Sequence, residues 1–381
     1  MSDESPHRAP IPTASEAIQS ILMDRIAQSG PLPVSDFMQI VLGHPQHGYY
    51  RRQNPIGAAG DFTTAAEISG LFGEMCGVYL AHMYDIAGRP EQAQILELGP
   101  GRGTLMADMR HIWAHTMPAM LDLPLHLVET SPHLRAQQKQ RIKMASLVWH
   151  DDLTSLPDAP LFGVANEFFD ALPIDQAVWR QHAWQHRLVG TRNGALSFID
   201  GDRLGPDELA CWQITNDQPD LADGTVAEYC RAADMMTRQL ASNIARHGGA
   251  FLVIDYGKTD NYSDSLQAVA AHKPVDLFYQ PGNADISHWV DFAALRRAAD
   301  NAGARFIGPV TQADFLMTIG LRERAENAAL TCDADGRRAL FAAVDRLVGA
   351  HHMGTAFKVG LIVPAGDGVP AGFTTGDNEC V

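Results

Sequence analysis

The sequence predicts an α/β fold of the doubly wound type, with a mostly parallel sheet covered by helices on both faces. One observation behind this prediction is that short apolar runs alternate with helical stretches from Gln94 onward. Another is a glycine-rich turn that follows the first of these runs and precedes a helix. A third is the composition, with 46% hydrophobic and 19% charged residues among 381, which is typical of a globular protein.

Five apolar runs are predicted to be strands of this sheet: 94–98, 125–129, 146–150, 162–166 and 250–255. Helices are predicted between and after them, at 104–114, 133–144, 227–247, 290–301 and 321–350. A last apolar strand is expected at 357–363. The length alone suggests about two to three domains. The alternation runs through most of the chain, however, so we expect one large α/β domain with additions.

Residues 1–92 are predicted to form a helical extension that acts as a lid on the core. The first helix begins at a capping box, Thr13-Ala-Ser-Glu16, and ends at Gly30. Two further helices are expected in this extension, at 35–42 and 65–88.

An inserted β-rich segment is predicted over residues 177–228. Apolar and polar residues alternate in two runs there, and the Arg192-Asn-Gly194 sequence between the runs is typical of a hairpin turn. The same alternation would suit a partner-binding face or the surface of a homodimer. The α/β core is expected to span 93–365, including this insertion, and residues 366–381 to form a C-terminal tail.

The charge balance and the cysteines exclude several classes of protein. With 45 acidic and 29 basic residues the net charge is −16, so a nucleic-acid partner is not expected, because no basic excess exists to neutralise phosphates. No apolar run approaches the roughly 18 residues of a membrane span, so we expect no integral membrane segment. Five scattered cysteines and a polar N-terminus predict a cytoplasmic protein. The sixteen histidines lack matched partners at ligand spacing, so no metal site is expected.

The strongest local motif is Ile95-Leu-Glu-Leu-Gly-Pro-Gly-Arg-Gly-Thr104, in which a strand runs into three glycines and a helix opens. Glycines permit a tight turn and a close approach of the backbone to a ligand, and the amide groups of a helix start point toward it. We therefore predict a cofactor site at this strand end, to which the following residues contribute: Glu97, Gly99, Pro100, Gly101, Gly103 and Thr104.

The spacing of the glycines separates two kinds of cofactor. A dinucleotide fingerprint is G-x-G-x-x-G, whereas this turn is G-x-G-x-G, preceded by Glu97. The next strand ends in Glu129, whose carboxylate can accept both hydroxyl groups of a ribose. This combination resembles the class I S-adenosylmethionine methyltransferases, which commonly place an acid near the adenine amino group after the third strand, here Asp151-Asp152-Leu153. A nicotinamide cofactor and a tight turn without a ligand remain alternatives.

The fourth predicted strand ends in a polar and aromatic stretch, Asn166-Glu-Phe-Phe-Asp-Ala-Leu-Pro173. In the methyltransferase fold this end faces the methyl donor, so Asn166, Glu167 and Asp170 are candidates for holding the acceptor, and Asn166 also for contacting the cofactor. If the acceptor is an arginine, carboxylates match its planar guanidinium group. The alternative is that an Asn or Asp here caps the helix that follows. Asp255-Tyr-Gly257, which ends the fifth strand, is interpreted as a turn or as a wall of the same pocket.

Residues 47–50 and 57–69 lie upstream of the core and are richer in functional groups than a neutral linker needs. They carry two aromatic hydroxyls, a Gly-rich turn and a helix start with Thr63, Thr64 and Glu67. We predict that this flank closes over the cofactor and that these three residues contact it. The alternative is a surface loop followed by a capped helix.

Several motifs in one order and spacing give a more specific resemblance: HGYY, GDFTTAAEIS with FGE, LELGPGRGT, HLVE, NEFFDALP and IDYG. With the later stretches 281–285 and 290–292, they resemble the MidA-like family over about residues 14–365. This family comprises a mitochondrial complex I assembly methyltransferase and its bacterial relatives. The resemblance implies a class I methyltransferase core with a seven-stranded sheet behind an N-terminal extension. One departure is Ala66, where the family usually has proline, and no chemical group is lost with it.

The resemblance also implies an activity. Family members use S-adenosylmethionine, which is converted to S-adenosylhomocysteine, and the mitochondrial members, located in the matrix, symmetrically dimethylate an arginine of a complex I core subunit. For this chain it implies the cofactor at Gly99, Gly101, Gly103 and Glu129, with the 63–67 segment nearby. We therefore expect a protein arginine methyltransferase acting on a subunit of a respiratory NADH dehydrogenase. The alternatives are a methyltransferase for a small molecule or another protein, and an assembly chaperone with vestigial catalysis.

Overall fold

The chain was analysed as a computed structural model that describes residues 13–51, 64–144, 146–259, 262–366 and 368–373. Its N-terminal part contains four helices and a short strand: α1 (Ala14–Ser29), β1 (Leu32–Pro33), α2 (Val34–Gly43), α3 (Ala65–Ile68) and α4 (Gly70–Ile86). The predicted capping box opens α1, because the Thr13 hydroxyl accepts the Glu16 N–H and the Glu16 carboxylate accepts the Thr13 N–H.

The prediction of one continuous helix over 65–88 is wrong, because the helix is interrupted at Ser69. The backbone of Ser69 is extended, with φ of −157° and ψ of 133°, and its hydroxyl accepts the Leu71 N–H at the start of α4. Serine favours such a capping position over a helix interior. Because of this interruption, α3 is a separate helical turn whose axis is not fixed by that of α4.

The first half of the core contains four strands and two helices: β2 (Gln94–Leu98), α5 (Thr104–Thr116), β3 (Leu125–Val128), α6 (Pro132–Ile142), β4 (Leu147–His150) and β5 (Leu161–Asn166). These elements alternate as predicted. Strands β2, β3 and β5 are short and fully buried, as expected for parallel strands with helices on both faces, whereas in β4, at the edge of the sheet, only His150 is buried.

The next segment contains four strands and one helix: β6 (Asp175–Arg180), β7 (Ala183–Arg192), β8 (Ala195–Arg203), α7 (Pro206–Trp212) and β9 (Val226–Tyr229). The predicted hairpin joins β7 and β8, where Asn193 and Gly194 have φ of 53° and 80°. Two positive φ angles are what a two-residue hairpin turn requires. The strands form a second sheet with β1, in the order β1-β7-β6-β9, with β8 also paired to β7.

The last part of the chain contains seven strands and six helices: α8 (Arg231–His247), β10 (Gly249–Lys258), β11 (Gln267–Ala270), β12 (Lys273–Val275), β13 (Asp285–Ser287), β14 (Val290–Asp291), α9 (Phe292–Asn301), β15 (Ala304–Thr311), α10 (Gln312–Thr318), α11 (Leu321–Ala329), α12 (Ala334–Val348), α13 (Met353–Ala356) and β16 (Phe357–Pro364). The predicted helix over 227–247 is too long, since Val226–Tyr229 pair with β6. The predicted helix over 321–350 is two helices, α11 and α12, because the Asp333 side chain accepts the Gly336 N–H and so caps the start of α12.

Seven strands form the central sheet, in the order β15-β16-β10-β5-β2-β3-β4, and the short β14 pairs with the end of β10. The strands from β10 to β4 are parallel, whereas β16 is antiparallel to both of its neighbours. The predicted doubly wound, mostly parallel sheet is therefore confirmed. The chain moves outward in opposite directions from β2 and β5, so a crevice opens at their carboxyl ends.

Helices cover the sheet on both faces. On one face α4, α5 and α10 share a core that contains Phe72, Trp113 and Phe315, and on the other α8 and α9 contribute Ile244 and Phe292. Helices α1 and α2 pack elsewhere, in a third cluster with residues of β7, β11 and β13. Among the described residues, no helix is both long and apolar enough to cross a membrane.

Candidate active site

The glycine turn between β2 and α5 has a backbone that other residues rarely adopt. Gly99, Gly101 and Gly103 have φ of 59°, 51° and 76°, all in the left-handed region. A Cβ atom at Gly99 would lie 2.5 Å from the ring of Phe168. The turn is thus shaped both for sharp bending and for close approach, as the sequence predicts.

A cleft of about 670 Å³ lies at the carboxyl ends of β2 and β5. Most of the site residues predicted from the sequence line it: Thr64, Glu67, Glu97, Gly99, Pro100, Gly101, Thr104, Glu129, Asp151, Asp152, Leu153, Asn166 and Glu167. Gly103 does not line it and packs against Gln138, and Asp170 lies outside the lining. Thr63 lies outside the described residues.

Glu129 at the end of β3 is held in one orientation by two donors. One carboxylate oxygen accepts the Ser131 N–H at 2.7 Å and the other accepts the side-chain amide of Gln138 at 3.2 Å. Burial raises the pKa of Glu129, and these hydrogen bonds oppose that rise. A fixed carboxylate at this strand end is suited to accepting ribose hydroxyls.

Gln138 is a site residue that the sequence analysis missed. Its amide group also donates to the Gly101 carbonyl at 2.7 Å, and its oxygen accepts the Trp149 indole N–H at 2.8 Å. It therefore ties the glycine turn to Glu129. The only sequence indication was a glutamine on the inward face of α6, which is a common position for a structural side chain.

The predicted adenine end contains two carboxylates that already have partners. Asp151 pairs with Arg135 at 2.6 Å and is 81% exposed, and Asp152 accepts the Thr154 N–H at 2.8 Å. Hydrogen bonds from Thr154 lower the pKa of Asp152. Residues of α8 also line this part of the cleft, and the amide of Gln239 donates to the Leu153 carbonyl at 2.8 Å.

Two buried oxygens in the cleft have no hydrogen-bond partner within the described ranges: Glu97 Oε2 and Asn166 Oδ1. Burial raises the pKa of Glu97 to about 8. An unmet acceptor in a buried place is unfavourable unless a ligand satisfies it. With Glu129, these acceptors fit a ligand that has a ribose and an ammonium group, as S-adenosylmethionine has.

Glu167, at the carboxyl end of β5, has an unusual backbone and a buried carboxyl. Its φ is 50°, and its N–H donates to the Ile254 carbonyl at 2.9 Å. Oε1 accepts the Ala65 N–H at 2.7 Å and the Asn166 amide at 3.2 Å. Burial raises the pKa of Glu167 to about 8, the Ala65 N–H opposes the rise, and the charge of Asp255 adds to it.

Asp255 caps the turn that follows Glu167. One of its oxygens accepts the backbone N–H groups of Phe168, Phe169 and Asp170, at 3.1, 2.8 and 3.3 Å, and the other accepts the Tyr256 N–H. Of the two interpretations of Asp255, the structure supports the turn, since Asp255 is fully buried and does not line the cleft. Burial raises the pKa of Asp170, and the charges of neighbouring carboxylates add to that rise.

The flank between α2 and α4 contacts both ends of the cleft. Glu67 accepts hydrogen bonds from the Thr104 hydroxyl and, at 3.2 Å, from Arg102. Tyr50 and Arg51, which were not predicted as site residues, also line the cleft. The Tyr50 hydroxyl donates to Asp285 at 2.8 Å, and Arg51 donates to the Thr130 carbonyl at 2.8 Å.

A left-handed glycine turn where the strand order reverses, with an oriented carboxylate on the neighbouring strand, fits the class I S-adenosylmethionine-dependent methyltransferases, whose cofactor contains a ribose. A family model described as an S-adenosyl-L-methionine-dependent methyltransferase matches residues 75–310. The protein arginine methyltransferase NDUFAF7, mitochondrial, of Xenopus tropicalis is 32% identical over 92% of this chain and 87% of its own length. The human protein of that name is 31% identical, over 90% and 82%.

The solved structures agree with these sequence matches. A Burkholderia thailandensis protein crystallised with S-adenosyl-homocysteine bound has a TM-score of 0.82 and 27% identity, over 98% of this chain and 99% of its own. The chain therefore belongs to the MidA-like family of S-adenosylmethionine-dependent methyltransferases. It is an enzyme whose cofactor is S-adenosylmethionine, which excludes the nicotinamide alternative.

Proposed function

We propose that this enzyme methylates an arginine side chain of a protein and that Glu167 holds the guanidinium group. The observation that carries this proposal is the partly buried Glu167 carboxyl, which lines the cleft at the strand end beside the cofactor turn. Within the described residues both hydrogen bonds to this carboxyl go to Oε1, so Oε2 is available for a substrate. A planar cation with several N–H donors is the partner that such a carboxylate prefers.

The remaining residues of the cleft divide between binding and orientation. Glu129 would accept the ribose hydroxyls, while Glu97 and Asn166 would accept N–H groups of the methionine part. Bound S-adenosylmethionine supplies the electrophilic methyl group. Glu167 orients one guanidinium nitrogen toward it, and Phe168, beside Gly99, helps to exclude water. The other predicted cofactor residues that line this cavity would contact the same ligand: Thr64, Gly99, Pro100, Gly101, Thr104, Asp151, Asp152 and Leu153.

Asp170 is better suited to a supporting role than to direct contact with the acceptor. It is outside the cleft lining, and its N–H donates to Asp255. We propose that its backbone helps Asp255 to fix the turn that follows Glu167. The 1–92 extension would cover the cleft as a lid, the core would span 93–365 with its insertion at 177–228, and 366–381 would be a tail.

The proposed substrate is a subunit of a respiratory NADH dehydrogenase, modified in the bacterial cytoplasm. The vertebrate relatives are protein arginine methyltransferases by name, which supports an arginine as the methyl acceptor. The complex I subunit follows from the family resemblance. A homodimer formed through the inserted sheet remains part of this proposal.

The test compares arginine methylation in complex I subunits from a deletion strain and its parent by mass spectrometry. We expect one subunit to lose a methylated arginine in the deletion strain, and the wild-type gene but not Glu167→Gln to restore it. Purified enzyme with radiolabelled S-adenosylmethionine should label the same subunit from the deletion strain. Unchanged modification would leave the small-molecule and chaperone alternatives.

A further inference from the structure

Helix α3 is bonded to both functional ends of the cleft. Its first residue, Ala65, donates its N–H to Glu167, and its third, Glu67, accepts hydrogen bonds from Arg102 and Thr104. Arg102 lies within the glycine turn and Thr104 begins α5. A helix of four residues therefore connects the cofactor turn to the carboxyl that we assign to the acceptor.

In the contact of Glu67 with the cofactor turn, the Glu67 side chain is largely shielded from water, whereas the Arg102 side chain is 34% exposed. The Glu67 side chain is 14% exposed, and Arg141 on α6 lies 3.9 Å from it as a second cation. Shielded, hydrogen-bonded ion pairs hold their geometry better than exposed pairs do. Arg102 sits between two left-handed glycines, so the position of its guanidinium depends on the conformation of the turn.

A change at one end of α3 is transmitted to the other because the helix is a single turn. Ala65 and Glu67 are about 3 Å apart along the helix axis, at a rise of roughly 1.5 Å per residue. The Ala65 N–H lies 2.7 Å from Glu167 Oε1, and a displacement of about 1 Å would break that hydrogen bond.

We propose that Glu67 is a positioning residue that couples cofactor binding to the acceptor carboxyl: through α3 it fixes the Ala65 N–H that holds Glu167. Ordering of the glycine turn by S-adenosylmethionine then orders Glu167. By linkage, cofactor and acceptor strengthen each other's binding. Only this last consequence rests on the proposed function, because the coupling between the two carboxyls is a property of the chain itself.

The charges around the two carboxyls make the coupling measurable. Glu167 faces the carboxyl groups of Asp255 and Asp285, whose charges disfavour its ionised form, and Glu167 in turn adds to the raised pKa of Asp170. The Ala65 N–H favours the ionised form, so its loss must raise the pKa of Glu167. Glu67 faces the cations of Arg102 and Arg141 and the carboxyl of Asp108.

The experiment is a pH titration of full-length protein labelled with ¹³C at the glutamate carboxyls and followed by NMR, with the Glu167 signal assigned from Glu167→Gln. We expect S-adenosylhomocysteine to lower the pKa of Glu167 in the wild type. Glu67→Ala should raise that pKa by about one and reduce the effect of S-adenosylhomocysteine, since a hydrogen bond to an ionised group is lost. A Glu167 titration that is the same in Glu67→Ala as in the wild type would overturn the proposal.

Two further variants serve as a negative control and as a milder alternative to Glu67→Ala. Asp85→Asn breaks an exposed ion pair with Arg89 on α4 and should leave the Glu167 titration unchanged. Thr104→Ala removes one of the Glu67 contacts and should give a smaller shift in the same direction, even if Glu67→Ala does not fold. If the enzyme methylates no arginine but the Glu167 pKa still depends on Glu67, the proposed function alone is rejected. If it methylates arginine but the Glu167 pKa does not depend on Glu67, the coupling proposal alone is rejected.

Discussion

The cofactor end and the acceptor end of the cleft are constructed in different ways. At the cofactor end, residues 97–104 are contiguous, and three backbone conformations that favour glycine define the shape. At the acceptor end, Glu167 is held by Ala65 and faces Asp255 and Asp285, which are distant in the sequence. One end depends on local backbone geometry, and the other depends on charges that tertiary contacts keep in place.

This difference has a consequence for mutational sensitivity. A turn formed by left-handed glycines tolerates no side chain, whereas the exact chemistry of its neighbours matters less. A buried carboxylate tolerates changes of shape poorly as well, but its charge is the decisive property, because burial already penalises that charge. Substitutions that alter only backbone freedom, or only charge, should therefore affect one end and spare the other.

The largest expected effect on cofactor binding is that of Gly101→Val. A β-branched residue at φ of 51° is strained, and its side chain would occupy the cleft, so S-adenosylmethionine binding should fall more than about 100-fold by titration calorimetry. Gly88→Val is the matched control, since Gly88 has φ of 81° but open space around it, outside the cleft. The control should lower Tm and keep the wild-type Kd; equal losses of affinity in both variants would contradict the comparison.

The next largest effects come from two substitutions that remove a charge with little change of shape, one at each end of the cleft. Glu167→Gln should reduce kcat by about 10²- to 10³-fold and change the Kd of S-adenosylmethionine little, because a neutral amide cannot pair with a guanidinium. Glu129→Gln should do the reverse and weaken cofactor binding by about tenfold or more. Calorimetry gives the Kd of S-adenosylmethionine and single-turnover kinetics gives the rate of methyl transfer for both variants. If Glu167→Gln retains turnover, the acceptor assignment is wrong.

The smallest expected effect is a pH dependence that belongs to the acceptor end. Burial raises the pKa of Glu167 to about 8, so the group is protonated below that pH and cannot pair with a cation. kcat/KM should therefore rise about tenfold per pH unit and level off near the pKa. A bound cationic cofactor should move the midpoint lower. The same profile in Glu167→Gln as in the wild type would show that another group titrates.

Secondary structure was predictable wherever a local cause was sufficient. The capping box of Thr13 and Glu16 and the hairpin turn at Asn193 and Gly194 act between neighbouring residues, and both are confirmed. One error arose where a tertiary partner decided, and another where a local helix cap was overlooked. Residues 227–229 were included in a helix, although pairing with β6 makes them part of a strand. Ser69 was not recognised as the cap that separates α3 from α4.

Some residues of the candidate site were predicted from the sequence, and others were found only in the structure. Motif order predicted the glycine turn, Glu97, Glu129 and Glu167, because each lies at or directly after the end of a buried strand and strand ends meet at one edge of a parallel sheet. Gln138, Tyr50 and Asp285 were not predicted as site residues, since nothing in their own neighbourhood shows which distant group they contact. The helix α3 joins the two ends of the cleft only through contacts made after folding.

The sequence by itself determined the class of fold, the cofactor turn and the family, because these follow from strand periodicity, glycine spacing and motif order. The tertiary structure decided how the acceptor end works: which N–H groups hold Glu167, how Asp255 fixes the turn behind it, and what α3 connects. The physical reason is the sequence distance over which the deciding interactions act. Backbone conformation is set by neighbouring residues, whereas the ionisation of a buried carboxyl depends on every group that folding brings near it.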